Sequence, residues 1–89
     1  MHNWEVSDNL KDILRKLFRK DKSLYEQLMK KIEEIKNAYD VNHYKNLKYN
    51  MKNSKEVHIG HFVLVFQYNQ TTDTILFDDF AHHDDIFKK

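Results

Sequence analysis

The segment HFVLVFQY, residues 61–68, decides the fold, because it is apolar on both faces when extended. Such a run is typical of a central strand that is covered on both sides. The polar turn NQTTD, residues 69–73, joins it to TILFDDFA, residues 74–81, which predicts a neighbouring strand. KEVHIG, residues 55–60, ends in the chain's one glycine and predicts a third strand. Short strands at this hairpin spacing predict an antiparallel meander.

Two amphipathic helices precede these strands. Ser7 is a favoured N-cap residue, and apolar residues follow it at the i, i+3, i+4, i+7 spacing of one helix face. They are Leu10, Ile13, Leu14, Leu17 and Phe18. After a polar run at 19–22, Ser23 and Glu26 form an S-x-x-E capping box that predicts the start of a second helix. Two such helices joined by a short polar turn indicate an antiparallel helical hairpin.

Shorter elements complete the predicted architecture. Asn3–Val6 is a candidate first strand, LKYNM at 47–51 alternates like a half-buried strand, and HHDDIF at 82–87 resembles one helical turn. We therefore predict a single α+β domain over residues 1–89. In this domain the N-terminal helical hairpin packs on a small antiparallel meander, and a short helical turn ends the chain.

The composition limits the class of protein. Eighty-nine residues suffice for one domain with a modest core. The lack of cysteine excludes disulfides and thiolate metal sites. No apolar run approaches the roughly 20 residues of a membrane span, and the first residues do not have the pattern of a signal peptide. These features predict a soluble cytoplasmic protein without a membrane partner.

Charge is unevenly distributed along the chain. Residues 1–55 hold 13 Lys and Arg against 8 Asp and Glu, a net charge of +5, and residues 56–89 hold 2 against 6, a net charge of −4. A basic first part favours a polyanion partner, and a balanced, solvated helix surface is the alternative.

The histidines and aspartates of the second part could in principle bind zinc. They are His58, His61, His82, His83, Asp84 and Asp85. However, strand positions three apart point to opposite faces, and adjacent histidines seldom share an ion. The two aspartates also suit the first turn of a helix. We therefore predict no metal and no cofactor, with a metal-dependent nuclease as an alternative.

The same histidines suit acid–base chemistry, because imidazole titrates near neutrality. RNA cleavage needs a base for the 2′-hydroxyl, an acid for the 5′-oxygen and cations for the developing charge. His58 ends one strand and His83 follows the last one, so a meander can bring both into one cleft. The preceding segment supplies Lys45, Lys48, Lys52 and Lys55. Phe62 and Phe87 could stack an unpaired base, although a core position is the alternative for Phe87.

The order of these features resembles the RelE/ParE toxin superfamily, and within it the RelE and YafQ type. The resemblance comprises the helical hairpin, then HYKNLKYNMKNSKEVHIGHFVLVFQYN at 43–69, then a strand ending in HHDDIF at 82–87. It covers essentially the whole chain and lies in the order and spacing of short motifs. It implies a toxin of a toxin–antitoxin pair that cleaves mRNA in the ribosomal A site. The implied partners are a cognate antitoxin, the ribosome and mRNA.

The resemblance also implies roles for individual residues. His83 falls where YafQ-like members have a catalytic histidine and RelE-like members an arginine, and His58 falls at a strand position held by histidine or arginine. Lys45 matches a basic or histidine position, and Phe87 matches a tyrosine or phenylalanine. YafQ-type members have an aspartate–tryptophan pair in this region. His61 and Phe62 of this chain fall near that pair, and the turn here is one residue shorter.

Two departures from the family pattern affect the predicted chemistry. No arginine follows Arg19, and Phe87 lacks the hydroxyl of a tyrosine. We therefore predict an mRNA interferase in which histidine and lysine perform acid–base catalysis. The predicted catalytic residues are His83, His58 and Lys45, and the predicted RNA-binding residues are Lys48, Lys52, Lys55, His61, Phe62 and Phe87. The alternatives are an inactive, degenerate toxin or a ParE-like inhibitor of DNA gyrase that acts without catalysis.

Overall fold

The computed structural model describes residues 2–47 and 54–86. Along the chain it contains β1 (Asn3–Val6), α1 (Asp8–Lys20), α2 (Lys22–Lys36), a 3-10 turn (Val41–His43), β2 (Ser54–Ile59), β3 (Phe62–Asn69), β4 (Thr74–His82) and α3 (His83–Ile86). The predicted α+β architecture is confirmed. Within the described residues, no helix has both the length and the apolar character needed to cross a membrane.

The four strands form one sheet in the order β1-β4-β3-β2. Strands β2, β3 and β4 are the predicted antiparallel meander. Strand β1 pairs in parallel with β4, with Asn3 opposite Thr74 and Val6 opposite Phe77. The first strand of the chain therefore lies at one edge of the sheet, and β2 lies at the other.

A β-bulge interrupts the pairing of β3 with β4. Val65 lies opposite Asp79 and Phe66 lies opposite Phe77, so Asp78 is an extra residue on β4. Phe77 and Phe80, although three residues apart, can therefore both contribute to the core on the helical side. That core unites both helices with the sheet and contains Leu10, Leu28, Ile32, Ile35, Leu64, Phe66, Ile75, Phe77 and Phe80.

The N-cap predicted for α1 is confirmed, whereas the one predicted for α2 is not. The Ser7 hydroxyl accepts a hydrogen bond from the Leu10 amide at 3.0 Å, as expected. The capping box predicted at Ser23 is wrong, because α2 begins at Lys22 and its N-cap is Asp21, whose carboxylate accepts from the Leu24 amide at 3.1 Å. The Asp21 amide also donates to the Leu17 carbonyl, so a single residue ends α1 and starts α2.

On the sheet face opposite the helices, two apolar side chains from outside the sheet cover β3. Leu47 and Ile86 pack there on the buried Val63 and Val65 of β3. The Leu47 amide donates to the Ser54 carbonyl at 2.8 Å, which holds the segment before β2 against that strand. The rest of the predicted strand at 47–51 lies outside the described residues.

An ionic cluster ties β1 to distant parts of the chain. The two ring nitrogens of His2 lie 2.5 Å from Asp73 Oδ1 and 2.7 Å from the Ala38 carbonyl, and Tyr68 donates to the same Asp73 oxygen at 2.6 Å. The Asp73 carboxylate, followed by the Ala38 carbonyl, raises the pKa of His2. Hydrogen bonds from Tyr68 and then His2 lower the pKa of Asp73. The cluster therefore favours the charged forms of both His2 and Asp73.

Candidate active site

The turn between β2 and β3 and the end of β4 bring His58 and His83 together. Gly60 has φ +60° at the first central position of the two-residue turn, a conformation that glycine adopts without strain. The amide of His83 donates to the His61 carbonyl in this turn at 2.7 Å. The imidazole centroids of His58 and His83 are 5.6 Å apart, and both side chains are exposed.

Lys45 and Glu56 lie beside His58. Glu56 and His58 are two residues apart on β2 and therefore point to the same sheet face, opposite the helices. Glu56 Oε1 lies 3.6 Å from His58 Nε2 and 3.8 Å from Lys45 Nζ. The Glu56 amide also donates to the Lys45 carbonyl at 2.9 Å. We call Lys45, Glu56, His58 and His83 the histidine–lysine cluster.

The two adjacent histidines at the end of β4 have different surroundings. His82 lies opposite Phe62, with the two rings 5.5 Å apart, and stacks with His61 at 6.1 Å. His83 instead lies beside His58. Asp84 approaches both rings, at 3.6 Å from His83 Nδ1 and 3.8 Å from His82 Nδ1. Because Asp84 is exposed, these ion pairs contribute little to stability.

Lys55 lies apart from the histidine–lysine cluster, which differs from the RNA-facing position that we expected. Its neighbour Glu56 points to the opposite side of β2, and only 7% of Lys55 is exposed. Its ammonium donates to the Asn46 side chain at 3.0 Å and to the carbonyls of Tyr44 and Asn42 at 3.2 and 3.4 Å. These bonds fix the segment that carries Lys45.

Two further predicted RNA-binding residues, Phe62 and His61, have neighbours outside the histidine–lysine cluster. Phe62 is half-buried and stacks on Phe80 at 5.3 Å, at the margin of the helical-side core. His61 is exposed in the turn beside His82. The structure therefore brings neither of them to His58. Lys48, Lys52 and Phe87 lie outside the described residues.

Glu56 is the member of the cluster that sequence reasoning missed. Two signals could have found it: it alternates with His58 on a strand, and it is the only acidic residue between Asp40 and Asp73. Over residues 2–47 and 54–86, no group of three or more His, Cys, Asp or Glu side chains is placed to hold a metal ion.

Comparison with known proteins identifies the family. No family model matches the chain. A Methanocaldococcus jannaschii protein named "Putative toxin RelE4" is 42% identical over 90 residues, covering 100% of this chain and 94% of that protein. An uncharacterized Methanosarcina mazei protein is 35% identical over 88 residues, covering 98% of this chain and 100% of that protein.

The fold comparison agrees with the sequence comparison. The crystal structure of the isolated E. coli RelE toxin superposes with a TM-score of 0.66 over 92% of this chain and 84% of that chain, at 14% identity. The fold is thus that of RelE, and with the 42% identical relative it shows that this chain belongs to the RelE toxin family.

Proposed function

We propose that this protein is the toxin of a toxin–antitoxin pair and acts in the cytoplasm as a ribosome-dependent mRNA endonuclease. The observation that carries the proposal is the pairing of His58 and His83, two exposed imidazoles 5.6 Å apart. Lys45 adds an exposed ammonium to the same face. Membership in the RelE toxin family is consistent with this chemistry.

The proposed reaction uses only groups of the protein and the RNA. One neutral imidazole takes the proton of the 2′-hydroxyl, whose oxygen forms a bond to phosphorus. The bond from phosphorus to the 5′-oxygen breaks, and the other imidazole, protonated, supplies that oxygen with a proton. The products are a 2′,3′-cyclic phosphate and a free 5′-hydroxyl. The Lys45 ammonium stabilises the charge that develops on the phosphoryl oxygens.

Lysines of the segment before β2 and the end of the chain would bind the substrate. We propose that Lys48 and Lys52 contact phosphates and that Phe87 stacks on a base. The cognate antitoxin would cover the same face and thereby keep the toxin inactive. A protein encoded beside this chain and copurifying with it would be the expected antitoxin.

The test compares His83→Ala with His82→Ala, two changes of the same type at adjacent positions. His83→Ala should relieve growth inhibition and lower the cleavage rate by about 10²–10⁴-fold, because it removes a proton-transfer group. His82→Ala should retain both activities, because its ring lies beside Phe62. Primer extension on ribosome-bound mRNA measures the cuts, and circular dichroism checks the fold.

Two outcomes would contradict the proposal. Undiminished A-site cleavage by His83→Ala would exclude the catalytic role of that residue. DNA breaks together with intact mRNA would instead support a gyrase inhibitor.

A further inference from the structure

Glu56 carries a buried carboxylate on β2. Its side chain is only 3% exposed, and its Oε1 lies near two basic groups, His58 and Lys45. Its other oxygen, Oε2, is buried and has no hydrogen-bond partner among residues 2–47 and 54–86. A buried carboxylate oxygen without a donor is unfavourable, because it has lost its hydration without compensation.

An apolar side chain would suit this position better in terms of stability. Glu56 lies opposite the buried Val65 of β3, on the face where Leu47 also packs. Replacing buried ionic groups by apolar groups of similar volume is often neutral or stabilising. Residues that lower stability in this way are frequently found at functional sites.

We propose that Glu56 is a positioning residue for RNA cleavage, an inference that rests on the proposed function. Its Oε1 holds the imidazole of His58 and the ammonium of Lys45 next to each other. Without this carboxylate, a protonated imidazole and an ammonium would repel each other, and both exposed side chains would sample several rotamers. The carboxylate offsets this repulsion and restricts their geometry before RNA binds.

The backbone supports the same arrangement. The Glu56 amide donates to the Lys45 carbonyl, so the residue holds the segment of Lys45 by its main chain as well as by its side chain. His58 follows two residues later on the same face of β2. Because the carboxylate is covered by protein, Glu56 acts through its two neighbours and not by contact with RNA.

Steady-state cleavage by Glu56→Gln tests this role. The change keeps the shape of the side chain and removes its charge. We expect kcat to fall by about 10- to 100-fold, the scale of a misplaced catalytic group, with KM nearly unchanged and the unfolding midpoint equal or higher. Glu33→Gln is the matched control, because it removes a carboxylate that pairs with the buried Lys36 at 3.1 Å in α2. It should leave kcat and KM as they are.

A wild-type kcat in Glu56→Gln would overturn the positioning role while the proposed function stands. A fall in kcat that only matches a loss of folded protein would also overturn it.

Imidazole NMR spectra separate this inference from the proposed function. In Glu56→Gln the ring resonances of His58 should move, whereas those of His43, outside the cluster, should not. Unchanged His58 resonances would overturn the anchoring of His58 by Glu56, whether or not the protein cleaves RNA. If the wild-type protein cuts no RNA, the proposed function fails; a shift of His58 would then still support the anchoring.

Discussion

Lysine has two distinct environments within eleven residues of this chain. The ammonium of Lys45 is exposed and lies 3.8 Å from a single carboxylate oxygen. The ammonium of Lys55 is buried and donates to three oxygens of residues 42–46. Both belong to the basic segment in which we expected phosphate contacts. A sequence pattern cannot separate them, because the difference arises from which face of β2 residue 55 occupies.

This difference predicts opposite effects for the same substitution at the two lysines. Lys55→Met should lower the free energy of unfolding by about 1–3 kcal/mol, because the charge-assisted hydrogen bonds from the buried Lys55 to oxygens of residues 42–46 are lost. Lys45→Met should change it less, since the Lys45 ammonium is exposed and lies near only one carboxylate oxygen, at 3.8 Å. Its RNA cleavage, however, should fall. Urea unfolding and primer extension measure the two properties.

Equal stability of the two variants would contradict the internal role of Lys55. Undiminished cleavage by Lys45→Met would contradict the catalytic role of Lys45.

At the scale of elements, α1 and the bulge of β4 hold each other in place. Ser7 accepts from the Leu10 amide through its hydroxyl oxygen, and the same hydroxyl donates to the Asp78 carbonyl at 2.6 Å. The Ser7 amide donates to the Phe77 carbonyl. One residue therefore caps the helix and satisfies the carbonyl of the bulge, which would otherwise lack a strand partner.

Two serines that both seemed to be N-caps from the sequence now have different expected effects. Ser7→Ala should lower the free energy of unfolding by about 1–2 kcal/mol, the range for loss of an N-cap. Ser23→Ala should have an effect below about 0.5 kcal/mol, because Asp21 caps α2 and Ser23 is exposed. Thermal or urea unfolding distinguishes them. A larger effect at Ser23 than at Ser7 would restore the capping box as the start of α2.

A helix or strand could be predicted well where its sequence signal is local. Helix α1 and strands β2 to β4 were predicted, because hydrophobic period and turn residues are local signals. The start of α2 was misplaced, since Asp21 and Ser23 both suit an N-cap and the choice depends on a link of one residue between the helices. For the site, His58 and His83 could be paired from strand ends. Glu56 could not be assigned a partner, because its burial depends on packing across three segments.

At the scale of the whole molecule, the ionic cluster of His2, Tyr68 and Asp73 joins segments that are far apart in the chain. His2 and Asp73 are separated by 71 residues, and the carbonyl of Ala38, two residues after α2, binds the other ring nitrogen. Because both ring nitrogens face acceptors, the ring donates to both only when it is protonated. No local pattern could predict this contact or the parallel pairing of β1 with β4.

The cluster predicts a pH dependence of stability. The raised pKa of His2 gives a contribution that is full below its ordinary value of 6.5 and is lost as pH rises through the raised pKa. The lowered pKa of Asp73 gives a contribution that is present above 3.8 and is lost as pH falls through the lowered pKa. The cluster is therefore most stabilising between pH 3.8 and 6.5.

The measurement is the difference in melting temperature between the wild-type protein and His2→Gln. This difference should be largest near the middle of that interval and should shrink as the pH rises above 6.5 through the raised pKa of His2. A difference that is constant with pH would show that the ionisation of His2 does not contribute to stability.

The bulge at Asp78 also determines which sheet face each later residue of β4 points to. In a regular ladder every residue after the bulge would change faces, so Phe80 would leave the core and His82, not His83, would follow the side of His58. Because Asp78 is an extra residue, Phe80 stays in the core and His83 lies on the side of His58. A single residue in the middle of a strand thus determines which of two chemically identical neighbours lies beside His58.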